Sequence, residues 1–221
     1  MPTPAQSAPR SDAEALTKVA RTLIGRVPGF RDCTPALLDQ LIALGRIREF
    51  HAKECVCVMG QSAAHMHFLV RGSLETIRIR RNGHRQLIGL LFPGDIVGLI
   101  PCIDGLGHIN DIYARSKSAI LMLRQEDINA LRQSNGGLGQ AIEMYLAFRC
   151  RLLYERLTQD ASIPIEARLA SLLQLMTSLY GLPQGKGFVL DMKITQVDLA
   201  DWLGVSRQSI NSAIRLLESR G

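Results

Sequence analysis

The sequence predicts an α+β chain with a β-rich region, then a long helical region, then a helix-turn-helix. Between Ile47 and Leu123, short runs with β-branched residues are separated by regularly spaced turn residues, as in an antiparallel sandwich or barrel. After Arg124, apolar residues recur at helical spacing as far as Tyr180. Near the end, two amphipathic segments meet at Gly204, which is typical of a helix-turn-helix.

The composition is that of an ordinary globular protein. The chain has 221 residues, of which 47% are hydrophobic and 21% charged, so a disordered or fibrous chain is excluded. The longest apolar stretch, residues 87–103, is interrupted by Pro93, Gly94, Asp95 and Pro101, so no membrane-spanning helix is predicted and no membrane partner is expected. The N-terminus has no basic start followed by an apolar run, which indicates a cytoplasmic protein. Five cysteines, an odd number, indicate reduced thiols.

The net charge of +6 suggests an anionic partner but does not locate it. In residues 194–221 the three arginines are balanced by three acidic residues. The basic excess lies instead within residues 46–85, in the β-rich region. Charge alone therefore does not identify a binding surface.

Breaks in the pattern predict four segments. The first dozen residues, rich in Pro, Ser and Ala, are expected to be a tail, and two short helices follow around residues 16–24 and 37–44. The predicted boundaries are 1–29 for the tail and first helix, 30–124 for a β domain, 125–161 for a dimerisation helix and 162–221 for the helix-turn-helix domain. Pro164 marks the last boundary, since proline favours a helix start.

One β-hairpin is predicted in detail. Residues 74–80 alternate between two faces, and Asn82 and Gly83 then supply the two positive-φ residues that a tight hairpin turn requires.

The long helix carries a coiled-coil seam. Its apolar positions step by four, three and four, and they are Leu146, Cys150, Leu153 and Leu157. The pattern favours pairing with a second copy of the chain, while burial of the same seam against the chain's own β domain is the alternative.

The helix-turn-helix predicts a double-stranded DNA partner. Thr195 and Ser206 are placed to cap the two helices, and Gly204 to end the first. The second helix of such a motif enters the major groove. The residues expected at base edges are Arg207, Gln208, Asn211 and Ser212, and those expected at phosphates are Thr195, Ser206 and Arg215. The alternative is a packed helical hairpin with Arg207 as a solvated surface residue.

From Phe30 onward, the chain resembles the Crp/Fnr transcription regulators. The residues that carry the resemblance are Pro28-Gly29-Phe30-Arg31-Asp32, the strand Phe68 to Leu74, a ligand cassette at residues 92–98 (Phe-Pro-Gly-Asp-Ile-Val-Gly), the long helix and the Gly204 motif. The resemblance implies a homodimer with a cyclic-nucleotide-binding-like β-roll that senses an effector and a winged helix-turn-helix, and it adds RNA polymerase as a candidate partner. No catalytic constellation is visible in the sequence, so we expect no enzyme activity. The sequence ends at Gly221, where relatives continue into the wing, so the wing is missing from the predicted architecture, either because the chain is truncated or because the protein lacks one.

The residues expected at the effector pocket depart from that pattern. Members that bind cyclic nucleotides carry a glutamate after the cassette glycine, an arginine-serine pair for the phosphate and a threonine-serine pair on the long helix. Here these positions look like Leu99, Asn110-Asp111 and Leu153-Tyr154. A buried phosphate without a cation is costly, so we expect a small effector other than cyclic AMP, and no bound cofactor. The predicted pocket residues are Val97, Gly98, Leu99, Ile100, Asn110, Asp111, Leu153 and Tyr154.

Three alternatives stay open. Haem could be held by His65, His67 or His108, since imidazole is a common axial ligand. Cys55, Cys57 or Cys102 could act as redox thiols, although the spacing of an iron–sulfur site is absent. The chain could also be a cyclic-nucleotide-binding-like module that contacts protein rather than DNA. In the recognition helix, the family's glutamate and later arginine look like Gln208 and Ser212, which predicts an altered DNA site preference.

Overall fold

The computed structural model describes residues 10–80, 82–157, 162–190 and 194–220. The chain divides into two compact units, Met1–Arg151 and Leu152–Gly221. The helices are α1 (Arg10–Ile24), α2 (Pro35–Leu44), α3 (Leu99–Asp104), α4 (Gln125–Ser134), α5 (Gly136–Leu157), α6 (Ile165–Tyr180), α7 (Gln196–Leu203) and α8 (Arg207–Ser219). The strands are β1 (Arg46–Phe50), β2 (Cys55–Cys57), β3 (His65–Arg71), β4 (Leu74–Ile79), β5 (Arg85–Leu91), β6 (Ile96–Val97), β7 (Asp111–Ala114), β8 (Ser118–Arg124), β9 (Leu182–Gln184) and β10 (Gly187–Val189).

The first unit contains two antiparallel four-stranded sheets, ordered β1-β8-β3-β6 and β2-β7-β4-β5. Strand β3 is buried on both faces, so its side chains alternate between two cores. Met66, Phe68 and Val70 belong to a core shared with α1, α2 and α5. Leu69 belongs to a second core, which also contains Phe50, Leu74 and Ile112 from both sheets.

The fold class expected from the sequence is confirmed, with N-terminal antiparallel sheets and a C-terminal helix-turn-helix. At the N-terminus, residues 1–9 of the predicted tail lie outside the described residues, and α1 already begins at Arg10. The segment predicted as one helix over 125–161 contains two helices, α4 and α5, separated at Asn135. The Asn135 side chain accepts a hydrogen bond from the Gly137 N–H (3.1 Å), which favours a new start there.

The β4–β5 hairpin is present, but its turn differs from the prediction. The ladder ends at Ile79 and Arg85, and beyond it the Arg80 N–H still donates to the His84 carbonyl (2.9 Å), so the turn is longer than the predicted two-residue turn. Only Gly83 has a positive φ (78°) there among the described residues, and Asn82 does not. The Asn82 side chain instead accepts a hydrogen bond from the His84 N–H (3.1 Å), so it stabilises the loop through its side chain and not through its own backbone conformation.

The second unit is helical apart from the short β9–β10 hairpin, which precedes the helix-turn-helix. Helix α6 packs against both α7 and α8. The buried apolar residues of the second unit are Leu169, Leu172, Met176, Leu199, Ala200, Leu203, Ile210 and Ala213. Within the described ranges, every helix is too short or too polar to cross a lipid bilayer.

Candidate nucleic-acid interface and effector site

A capping box begins the helix-turn-helix. The Thr195 hydroxyl accepts a hydrogen bond from the Asp198 N–H (3.2 Å) and donates to Asp198 Oδ2 (2.8 Å). The same carboxylate oxygen accepts from the Thr195 N–H (2.8 Å). These bonds satisfy N–H groups that a helix start leaves free. Both donors of Thr195 are therefore engaged within the protein, and a phosphate contact from Thr195 would compete with the cap.

The turn between α7 and α8 is fixed from two sides. Gly204 has φ 66°, the left-handed conformation that glycine adopts without steric cost. The Val205 N–H donates to the Ala200 carbonyl (3.0 Å), and Arg168 on α6 donates to the Leu203 carbonyl (2.6 Å). These bonds set the direction in which α8 leaves the turn.

Helix α8 presents a polar face to solvent. Ser206 caps it by accepting from the Ser209 N–H (3.1 Å), while Ile210 and Ala213 are buried on the inner side. Four of the predicted DNA-contacting residues on α8 are exposed, namely Arg207, Gln208, Ser212 and Arg215. The fifth, Asn211, is half-buried. Gln208, Ser212 and Arg215 are four and three residues apart, so they share one stripe of the helix.

The cassette lies between strand β3 and helix α5 in the first unit. The Gly94 N–H donates to the Leu69 carbonyl (2.9 Å), and the Leu69 N–H donates to the Asp95 carbonyl (3.0 Å). Ile96 and Val97 then pair with Phe68 and His67. On the other side, Asp95 and Ile96 are hydrogen-bonded to side chains of α5. Sequence reasoning did not detect this second set of contacts.

Gly98 ends the cassette in a crowded place. Its φ is 75°, and a Cβ added there would lie 2.8 Å from the His65 carbonyl oxygen and 3.4 Å from His67 Nδ1. The same Cβ would lie 3.3 Å from Cε1 of His108. The cassette and the segment before Asn110 therefore meet at Gly98, through His108.

The predicted effector residues have different environments. Val97 is buried between the two sheets, whereas Leu99 is buried in the core on the helix side. Ile100 is exposed, and Asn110 is half-buried. The half-buried Asp111 accepts a hydrogen bond from the Met59 N–H (2.7 Å), so its carboxylate holds the loop after β2. Leu153 and Tyr154 on α5 are exposed, at 56% and 68%.

Three histidines gather next to the cassette. His67 is 5% exposed, and its Nδ1 is buried without a hydrogen-bond partner. Burial, with smaller contributions from His65, His108 and Arg48, lowers the pKa of His67 to about 3. Burial also lowers the pKa values of His65 and His108, so all three rings are neutral at physiological pH. Among the described residues, no group of three or more His, Cys, Asp or Glu side chains could hold a metal ion.

The thiols weighed as redox groups have raised pKa values. Burial raises the pKa of Cys57 to about 12 and that of Cys102 to about 11. Burial and the neighbouring Asp111 raise that of Cys55. Because the thiolate is the reactive form, these environments suit packing better than redox chemistry.

Some of the basic residues of the β-rich region are paired locally. Glu49 contacts both Arg71 (2.6 Å) and Lys117 (3.0 Å), and Arg85 contacts Glu75 (3.3 Å). These exposed arginines therefore do not by themselves define a nucleic-acid surface.

The residues of the predicted dimer seam are only partly buried within their own chain. Leu146 is half-buried and packs against the helix-side core of its own chain. Cys150 and Leu153 are exposed, and the side chain of Leu157 lies outside the described residues.

Each unit of the chain matches a known protein family. The family model described as "Cyclic nucleotide-binding domain" matches residues 47–135, and the "Crp-like helix-turn-helix domain" matches residues 167–221. The chain is 20% identical over 190 residues to the cAMP-activated global transcriptional regulator CRP of Salmonella typhimurium, covering 85% of this chain and 89% of that protein. It is 23% identical over 199 residues to the transcriptional activator protein FnrL of Cereibacter sphaeroides, covering 86% and 78%.

Among solved structures, FixK2 from Bradyrhizobium japonicum has a similar fold, with a TM-score of 0.66 at 18% identity, covering 80% of this chain and 86% of that chain. A cyclic-nucleotide-binding-type domain followed by a Crp-like helix-turn-helix defines a DNA-binding transcription regulator. The chain belongs to the Crp/Fnr family.

Proposed function

We propose that the protein is a homodimeric, sequence-specific transcription regulator whose β-roll responds to a small effector other than cyclic AMP. The observation that carries the DNA-binding part is the exposed face of α8. Arg207, Gln208 and Ser212 lie in the first turns of a helix that is capped by Ser206 and set by the Gly204 turn. Arginine and glutamine can each make paired hydrogen bonds to a base edge, with guanine and adenine respectively.

Selection from a random duplex pool tests this proposal. The wild-type protein is expected to enrich one sequence motif, and fluorescence anisotropy should then show tighter binding to that motif than to shuffled DNA. Affinity should fall as salt rises, because phosphate contacts release counterions. Weak binding without enrichment would instead favour the protein-interaction module.

The homodimer is supported by the exposed Cys150 and Leu153 on the seam of α5. Leu153→Glu would place a charge in that seam, where its desolvation is costly, so sedimentation should show monomers. Ala147→Glu, at an exposed position of the same helix outside the seam, is the matched control and should remain dimeric. An unchanged dimer for Leu153→Glu would contradict the assignment of the interface.

Two side-chain environments support an effector other than cyclic AMP. Leu99 is buried in the core and cannot replace a ribose-binding glutamate, and Asp111, at the sequence position expected for the phosphate-binding pair, carries a carboxylate that would repel a phosphate. Calorimetry with cyclic AMP should show no binding at micromolar concentration. Micromolar affinity that also changes DNA affinity would refute this part and leave the DNA-binding part intact. A Soret absorption band in the purified protein would favour the haem alternative.

A further inference from the structure

A cation on α6 reaches the turn of the helix-turn-helix from outside the motif. Arg168 donates a hydrogen bond from Nη2 to the Leu203 carbonyl (2.6 Å), between residues 35 positions apart. Leu203 is the last residue of α7, so its carbonyl lies at the negative end of the helix dipole, where a cation is favourable. The contact therefore combines a charge-assisted hydrogen bond with a favourable interaction with the dipole.

The residues that follow Leu203 have no buried side chain of their own. Residues 204–209, which form the turn and the first turn of α8, are all exposed or half-buried. Burial in α8 begins at Ile210 and continues at Ala213. Arg207 and Gln208, the first of the proposed base-contacting residues, therefore lie before the point at which the core holds α8 in place.

The bond from Arg168 also restrains the peptide group that precedes the turn glycine. The Leu203 carbonyl and the Gly204 N–H belong to one planar unit, so holding the carbonyl restrains ψ of Leu203 and φ of Gly204. Because Gly204 has no Cβ, it can leave its conformation (φ 66°) more easily than another residue could. Arg168 therefore acts at the most flexible joint between α7 and α8.

We propose that Arg168 is a positioning residue for sequence reading, which holds the first turn of α8 at the angle that base contacts require. The inference rests on the proposed function, in which α8 reads base edges. A paired base contact needs two donor–acceptor distances of about 2.7–3.2 Å at the same time, so a tilt of the helix start breaks it. Attraction to phosphates tolerates the same tilt, because it depends on charge and not on sequence. Loss of Arg168 should therefore reduce sequence discrimination more than total DNA affinity.

The ratio of affinities for the selected and the shuffled duplex, measured by anisotropy with the full chain, tests this role. Arg168→Met keeps a long apolar side chain but cannot donate to Leu203. Its affinity ratio should fall about tenfold, the size of one lost base contact, while binding to shuffled DNA changes by less than about threefold. Amide hydrogen exchange at Val205, whose N–H donates to the Ala200 carbonyl, should become faster as the joint loosens. Lys186→Met removes the same charge from the exposed β9–β10 turn and should change neither the ratio nor the exchange.

Fluorescence of Trp202 on α7 verifies that each variant is folded, and Arg168→Gln, which is neutral and shorter, replaces Arg168→Met if that variant is not. The inference is overturned if the affinity ratio stays at its wild-type value or if exchange at Val205 is unchanged. It is also overturned if affinity falls equally on both duplexes, since Arg168 would then contribute only positive charge. A wild-type chain that selects no DNA motif would refute the proposed function instead, whereas faster exchange at Val205 in Arg168→Met would still show that Arg168 holds the joint.

Discussion

Gly98 and Gly204 have the same backbone conformation in opposite surroundings. Both have a positive φ, 75° at the end of the cassette and 66° in the helix-turn-helix. A Cβ at Gly204 would meet no atom within 4 Å, whereas at Gly98 it would lie 2.8 Å from a backbone oxygen. Gly204 is required for its conformation alone, and Gly98 is required for both conformation and space.

The difference extends to the residues around each glycine. After Gly204, polar side chains point outward from α8, and the bonds that hold the motif come from its own caps and from Arg168. Around Gly98, polar groups face inward: His67 is buried, and Asp95 is held by Arg149. The proposed DNA interface is thus an exposed surface held by local hydrogen bonds. The cassette is instead buried, and its geometry depends on residues that are distant in sequence.

The largest expected effect that separates the two regions comes from alanine at each glycine. Gly204→Ala should lower the free energy of unfolding by about 1 kcal/mol, the cost of a left-handed conformation. Gly98→Ala adds a steric clash with the backbone and should cost about 3 kcal/mol in total. Urea denaturation measures both values.

The two units can be followed separately in that experiment. The chain has one tryptophan, Trp202 on α7, so tryptophan fluorescence reports unfolding of the second unit. The β-sheet signal in circular dichroism reports unfolding of the first unit. Gly98→Ala should shift the circular dichroism transition and leave the Trp202 transition in place. Equal losses for the two variants would show that Gly98 is not more constrained than Gly204.

Acid should also destabilise the first unit more than the second. The pKa of His67 is about 3 in the folded state, below its unfolded value near 6.5. Above that unfolded value both states are neutral and nothing is lost. As the pH falls below 6.5, His67 is protonated in the unfolded chain but stays neutral in the folded protein. The free energy of unfolding should therefore fall by about 2 kcal/mol between pH 7 and 5.

Histidine variants identify the source of that pH dependence. His67→Phe should flatten the pH dependence of unfolding, because it removes the buried imidazole. His84→Gln replaces an exposed histidine in the β4–β5 loop and should leave the dependence unchanged. A slope that persists in His67→Phe would assign it to His65 and His108 instead.

Sequence reasoning succeeded where structure depends on near neighbours. Thr195, Gly204 and Ser206 lie within twelve positions, and each acts through local caps or a local turn, so spacing alone predicted the helix-turn-helix. The bond between Asp95 and Arg149 joins residues 54 positions apart, and no local pattern marks it. A partial signal existed in α5, since its buried residues Leu138, Ala141, Ile142 and Tyr145 follow helical spacing and mark the face toward the core.

Dependence on distant residues also explains why the predictions for Asn82 and for the effector pocket differ from the structure. Asn82 was expected to adopt a positive φ, but in the longer turn its side chain bonds the backbone instead. Leu99 and Val97 were assigned to one pocket from the resemblance to the family's ligand cassette, yet they are buried in different cores. Which side of a sheet a residue faces after a glycine turn depends on the packing of other elements, which sequence spacing does not show.

The smallest effect on folding stability is expected at the outer surface of α8. Arg207 is exposed at the first position of that helix, so Arg207→Ala should leave the free energy of unfolding unchanged. It should weaken binding to the selected DNA by about 1–3 kcal/mol, the range for a paired contact to a base. Anisotropy titrations on the selected and shuffled duplexes measure both affinities, and Arg220→Ala at the far end of α8 is the control. A base contact predicts a loss confined to the selected sequence. An equal loss on both duplexes would make Arg207 a phosphate contact, and base reading would then rest on Gln208, Asn211 and Ser212.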